Sequence, residues 1–163
     1  VRPAPAFPLA REPGLWDALS LEVGTVYLET EGEPAEGKLA VAYVIENRLG
    51  GYGPDVATVI LGRDKVAYDD GRPYEVFSCW NDDYRSQAWA RLSRPHEGEL
   101  EACWRAVAGA RWRFLADPSR GATHYLNVPL TKKIRGGELP GWAVTAIARG
   151  PVVEVGRHTF LHV

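Results

Sequence analysis

No methionine occurs in the 163-residue chain, cysteine is limited to two residues, and four lysines stand against fifteen arginines. So little cysteine excludes a disulfide-stapled scaffold or a four-cysteine zinc site. Cys79 and Cys103 leave room for one disulfide or two buried thiols. Cys103 lies on the stripe Leu100, Cys103, Trp104, Val107, which favours a packed thiol there. Apolar runs are all far short of a membrane span, so no membrane insertion is expected. The net charge is −2 and there is no block of basic residues, which removes the electrostatic footprint of a nucleic-acid binder. Neither H-E-x-x-H nor G-x-S-x-G occurs, and His96, His124, His158 and His162 have no zinc-type spacing. No metal or cofactor is therefore expected. No secretory leader precedes Val1, which reads as a trimmed or processed chain that has lost its targeting information.

What is present is ordinary globular material, 45% apolar and 25% charged, enough for one domain with its own core. The proline-rich residues 1–14 read as an extension and 15–163 as a single domain, expected to be monomeric. Helical spacing predicts helices over 15–30, 35–49, 56–61, 84–92 and 97–116. The second is apolar almost all round and belongs at the centre. On the last, Leu100, Cys103, Trp104, Val107, Ala108 and Phe114 form the expected buried side. Residues 62–81 lack a helical period, and 151–155 with 158–162 suggest a hairpin across Gly156-Arg157. The expected class is mainly α (α+β), with a central buried helix and a small C-terminal β hairpin.

Glu29 is the most informative position. Trp16, Leu19, Val23, Val26 and Tyr27 define a buried stripe, and Glu29 falls on its flank where the helix meets a Gly-Pro break. A carboxyl between apolar packing and solvent is biased toward its neutral form by desolvation. Such an acid can protonate the leaving oxygen of a glycosidic bond.

The wording around Glu29 carries a resemblance. Tyr27-Leu28-Glu29-Thr30-Glu31-Gly32-Glu33-Pro34, then Glu36-Gly37 and an apolar run ending in Asn47-Arg48, resembles the opening motif of the spore cortex-lytic/cell-wall hydrolase family. Phe77-Ser78-x-Trp80, Gly121-Ala122-Thr123-His124-Tyr125-x-Asn127 and Gly156-Arg157-His158-x-Phe160 match in order, with Pro140-x-Trp142-Ala143 between the last two. The resemblance implies a lysozyme-like fold and a peptidoglycan-cleaving activity resembling that of lytic transglycosylases, with Glu29 as the acid. The family pattern has Gly, Ala and Arg where this chain has Leu28, Thr30 and Glu31, so an extra negative charge stands near the acid.

Glu33, at the head of the central helix, is expected to be structural, accepting backbone N–H groups and complementing the helix dipole. Ser78 either steadies the acid, bonds the sugar or caps a turn. Trp80 is either core or a platform for a pyranose ring. If 124–127 is extended, Tyr125 and Asn127 share one side and His124 and Leu126 the other. Tyr125 would then bond near the scissile linkage, Asn127 would read an N-acetyl group, and His124 would support the segment.

The expected reaction cleaves the β-1,4 bond between N-acetylmuramic acid and N-acetylglucosamine. A single acid points to a lytic transglycosylase. Asp82 or Asp83 positioning a water would instead give a muramidase. A non-catalytic peptidoglycan-binding domain and a stem-peptide amidase or thiol peptidase through Cys79 are the competing classes. The setting is the bacterial wall, in spore germination, wall remodelling or phage lysis.

Overall fold

Two aspartates start helices by the same device. Asp17 accepts the Ser20 amide at 2.9 Å and opens α1 (Ala18–Glu29). Asp55 accepts the Thr58 amide at 2.8 Å and opens α3 (Val56–Leu61). Between them Pro34 stands at the cap of α2 (Ala35–Arg48), where its missing N–H costs nothing. The computed structural model describes residues 13–62 and 77–163, apart from the side chains of Asp82 and Asp83. Most of the expected extension, residues 1–12, and most of the irregular 62–81 stretch lie outside the described residues.

The remaining elements are α4 (Asp82–Leu92), α5 (Glu97–Arg111), β1 (His124–Leu126), α6 (Val128–Ile134), α7 (Gly141–Arg149), β2 (Val153–Val155) and β3 (His158–Leu161). Single 3-10 turns at Pro13–Leu15 and Ser78–Trp80 complete the set. The class is mainly α with one small antiparallel sheet, as expected. The hairpin is β2–β3, in register Val155↔His158, and β1 adds on the other side of β3 with Tyr125↔Phe160. Among the described residues no helix is long and apolar enough to cross a membrane.

Helix α2 lies at the centre, packed against α1 and α5, with Val41, Ala42, Val44 and Ile45 essentially without solvent contact. Burial on every face of a helix is what a continuous apolar run demands. The sheet divides the interior. Tyr125, Phe160, Val153 and Val155 face the main core, while Leu126 and Leu161 join Ala143 and Ala146 of α7 in a smaller cluster.

The last predicted helix is shorter in the structure than its apolar spacing suggests. Helix α5 ends at Arg111, and Arg113 turns the chain with φ 52°, so Phe114 leaves the stripe and stands 64% exposed. Trp104 and Ala108 are only half-buried. Cys79 and Cys103 are both free thiols, so the disulfide alternative falls. Burial pushes the Cys103 thiol up to about 11, consistent with a packed, inert group.

Charged side chains inside the core act as fasteners. Lys38 on α2 donates through Nζ to the carbonyls of Thr30 at 2.9 Å and Glu33 at 2.8 Å, and pairs with Glu99 of α5 at 2.8 Å. It thereby holds the turn between α1 and α2. At the other end of α2, Asn47 Nδ2 donates to Asp117 Oδ2 and the Ala122 carbonyl, both at 3.1 Å. Arg48 Nε donates to the Thr123 carbonyl at 2.5 Å, and its guanidinium lies 4.8 Å from the centre of the Tyr52 ring. The Asn47-Arg48 pair therefore anchors the segment that feeds β1.

Candidate active site

Glu29 is the last residue of α1, where the helix stops and its side chain leaves the core. The helix closes on Thr30, whose N–H and hydroxyl both donate back to the Val26 carbonyl, and the chain leaves helical geometry there before Gly32 turns it with φ 71°. The two carboxylate oxygens are held from different parts of the chain. Oε1 accepts the Cys79 backbone N–H at 3.1 Å, and Oε2 accepts the Tyr125 hydroxyl at 3.1 Å. One donor comes from the 3-10 turn after the core residue Phe77, the other from β1. A carboxyl fixed through both oxygens has little rotational freedom, which is what directed proton transfer needs.

Glu29 opens onto a cleft of about 520 Å³. Ser78 and Cys79 line it near the carboxyl, Tyr84 and Arg91 of α4 form one rim, and Asn127 with Leu130 of α6 forms the opposite one. Arg157 and His158 complete the lining from the hairpin. The Tyr125 phenol is pushed well above its ordinary range by burial first and then by the Glu29 charge, so it remains a neutral donor. Cys79 is raised in the same way, by burial and then by Glu29. A thiol held neutral is a poor nucleophile, which removes the basis for a thiol peptidase.

Glu33 is sealed from solvent beneath this cleft. Its Oε1 accepts Arg157 Nε at 2.6 Å and its Oε2 accepts the Arg157 backbone N–H at 3.1 Å. Burial alone would raise this carboxyl, but the side-chain and backbone bonds from Arg157, with the nearby His158, outweigh it and hold it below its ordinary value. The backbone donor it accepts belongs to the hairpin rather than to α2, so Glu33 ties the α1–α2 turn to the sheet. Gly156 makes the approach possible: it takes φ +59°, and a Cβ there would stand 1.8 Å from Glu33 Oε2.

Among the expected site residues, Glu29, Ser78, Tyr125 and Asn127 meet in the cleft. Asn127 also caps α6, its Oδ1 accepting the Leu130 amide at 3.0 Å, so the residue that borders the cleft also builds its wall. His124 lies on the opposite face of β1, buried, with ring neighbours Trp142 at 5.3 Å and Tyr52 at 5.5 Å. It therefore does not line the cleft, and the alternation along 124–127 is as expected at the strand. Trp80 is corrected. It has no exposed surface, it packs edge-on to Trp16 at 5.9 Å, and its Nε1–H donates to Thr25 Oγ1 at 2.9 Å. A fully buried indole offers no face to a sugar.

Glu31 is exposed and pairs with Arg91 at 3.1 Å, so the additional negative charge meets a cation at the cleft rim. The alternative carboxylates Asp82 and Asp83 fall in the first turn of α4, and their side chains lie outside the described residues. His158, Arg157, Arg91 and Tyr84 line the cleft without having been singled out from the sequence. His158 and Arg157 stood inside a quoted motif, Gly156-Arg157-His158-x-Phe160, and that motif was the signal available for them.

Comparison with known proteins gives a consistent picture. A family model described as Cell Wall Hydrolase matches residues 32–161. A spore cortex-lytic enzyme of Oceanobacillus iheyensis is 30% identical over 145 residues, which is 87% of this chain and 40% of that protein. The chain thus spans well under half the length of that relative. Among solved structures, the catalytic domain of the germination-specific lytic transglycosylase SleB from Bacillus anthracis matches with a TM-score of 0.55 and 23% identity, over 94% of this chain and 98% of that one. The catalytic domain of the Bacillus cereus SleB protein matches with a TM-score of 0.50 and 21% identity, over 95% and 94% of the two chains. At these identities the structural matches establish a shared fold.

Proposed function

The chain belongs to the Cell Wall Hydrolase family, and from that premise we propose that it cleaves the glycan strands of peptidoglycan at the β-1,4 bond between N-acetylmuramic acid and N-acetylglucosamine, with Glu29 as the acid. The observation that carries this reading is the state of Glu29: fixed by donors at both oxygens and open to a cleft of about 520 Å³. Glu33, four residues on, is sealed and committed to Arg157, and so is unsuited to meet a substrate.

In this reading Glu29 gives its proton to the glycosidic oxygen while positive character develops at the muramic anomeric carbon. The Tyr125 hydroxyl and the Cys79 N–H hold the carboxyl in line and, once the proton has left, stabilise the carboxylate that remains. Ser78 and Asn127, which line the cleft, would bond the sugar's hydroxyl and N-acetyl groups. One fixed acid favours attack by the muramic acid's own 6-hydroxyl, which leaves a 1,6-anhydro end. The relatives named as cortex-lytic and lytic transglycosylase point the same way. Peptidoglycan strands in the bacterial wall are then the substrate, and the protein works as a monomer without a cofactor.

Mass spectrometry of the soluble fragments released from purified peptidoglycan tests the chemistry. Anhydromuramyl ends are expected. Reducing muramic ends would convert the reading to hydrolysis and make Asp82 and Asp83 the next carboxylates to replace. Tight wall binding with no fragment released would overturn enzymatic cleavage.

A further inference from the structure

His158 opens β3 and is the one imidazole lining the cleft among the described residues. Its side chain is 11% exposed and its Nδ1 is buried without a hydrogen-bond partner, 3.7 Å from Glu33 Oε1. The ring meets Tyr125 edge-on, with centroids 5.1 Å apart and planes at 86°, and that same tyrosine donates to Glu29. His158, Tyr125 and Glu29 are thus contiguous along the cleft, with Glu33 behind the imidazole.

We propose that His158 is a second catalytic residue, the base that takes the proton of the attacking hydroxyl, and that Glu33 orients it. This rests on the glycan-cleavage reading above. A lone pair on Nδ1 would face the ionised Glu33 carboxylate and be repelled, so the proton of the neutral ring belongs on Nδ1 and the lone pair on Nε2. A shift of well under an ångström would turn the 3.7 Å approach into a hydrogen bond. Glu33 does not take that proton itself, because Arg157 holds it as a carboxylate.

The groups facing His158 act in both directions. Burial lowers its pKa most, the Glu33 and Glu29 charges raise it, and the Arg157 charge lowers it, with a net fall below the ordinary value. Tyr125, packed edge-on against it, remains neutral. The ring is therefore uncharged at neutral pH and able to accept a proton.

The step balances. The Glu29 proton passes to the glycosidic oxygen as the C1–O bond breaks and its electron pair leaves with that oxygen. The 6-hydroxyl oxygen then bonds to C1, and its proton moves to His158 Nε2. The imidazolium, next to Glu33, returns a proton to Glu29 through solvent. Each group handles one transfer, so Glu29 need not reverse its role while product occupies the cleft.

The test is fragment release from purified peptidoglycan, measured from roughly pH 4 to 9, for the wild-type protein, Glu29→Gln, His158→Gln, and His158→Ala with and without added imidazole. His158→Gln should lose about 100-fold in kcat/KM at neutral pH with an unchanged melting temperature, and its rate should no longer fall on the acid side as the wild type's does. Imidazole should restore part of the rate of His158→Ala. If the variants fail to fold, NMR titration of His158 in the wild type decides: its midpoint should coincide with the acid limb of the rate. A His158→Gln rate within about threefold of wild type, a loss that imidazole and pH leave untouched, or a wild-type rate flat across the His158 titration would overturn the proposal. If Glu29→Gln is inactive while His158→Gln is not, only this proposal falls. If Glu29→Gln is fully active, glycan cleavage by Glu29 falls first.

Discussion

Two turns apart on α1, Glu22 and Glu29 meet opposite surroundings. Glu22, at the closed end of the molecule, has no exposed surface, and its Oε1 has no hydrogen-bond partner. Arg111 approaches only to 3.5 Å. Its pKa is pushed up to about 9, by burial first and then by the charge of Glu46, with Arg111 opposing. Glu46 is raised too, again by burial. At the cleft end, Glu29 has a donor on each oxygen and an opening to solvent. Desolvation alone makes a neutral acid, but one that no substrate can reach. A working acid needs access and a fixed direction, and the cleft end supplies both by drawing donors from two distant segments, 50 and 96 residues along the chain.

The largest way to break this contrast is Gly156→Ala. A methyl group at that backbone angle meets Glu33 Oε2 and must expel it from Arg157. The left-handed backbone penalty and a buried Glu33 carboxylate stripped of its Arg157 donors together should cost about 3 kcal/mol or more, read by urea unfolding, with glycan release falling in parallel. Unchanged stability would mean that Glu33 is not the tie between turn and hairpin.

Glu22→Gln sharpens the closed-end half of the comparison. A carboxyl whose folded pKa lies near 9 against 4.5 in the unfolded chain holds its proton longer in the native state. Wild-type stability is therefore fullest below the unfolded value and declines as pH rises toward the folded one. The glutamine removes that decline, so the variant should gain about 1 to 3 kcal/mol over wild type near pH 8, and the gain should shrink at acidic pH. Activity per folded molecule should not change. A destabilised variant at alkaline pH would show that Glu22 is held as an anion by Arg111.

Trp80→Phe probes the layer between the two regions. It loses the bond to Thr25 and part of the packing with Trp16 and Trp89, about 2 kcal/mol in all. The KM of the folded variant for peptidoglycan fragments should match wild type. A raised KM with intact stability would restore a sugar-binding role for this indole.

The two helices flanking Glu29 and the C-terminal hairpin were legible in the sequence because apolar period, caps and a Gly-Pro break agreed over those stretches. Helices α6 and α7 were not. No residue of α6 is buried, and α7 is only nine residues long and buries just the small side chains Ala143 and Ala146, so its apolar side is too short to stand out from the surrounding loops. Phe114 leaves the buried side because the stripe spacing continues past Arg111 although the helical backbone does not. Glu29, Tyr125 and Asn127 were found through motif wording and alternation. For Trp80, residue type states what a side chain can do, and only the packing of Trp16 and Trp89 states which way it faces. His158 was passed over because a histidine in a strand reads equally well as core, and its relation to Glu33 spans the fold.

The most direct test of the account is the rate of glycan release by Glu29→Gln against wild type, with thermal unfolding followed on the same samples. A loss of at least about 100-fold is expected at an unchanged melting temperature, since the glutamine keeps the shape, accepts the Cys79 N–H through its carbonyl oxygen and donates its NH2 to the Tyr125 oxygen. Release within a few-fold of wild type from a stably folded Glu29→Gln would contradict it, and would leave the cleft without its acid.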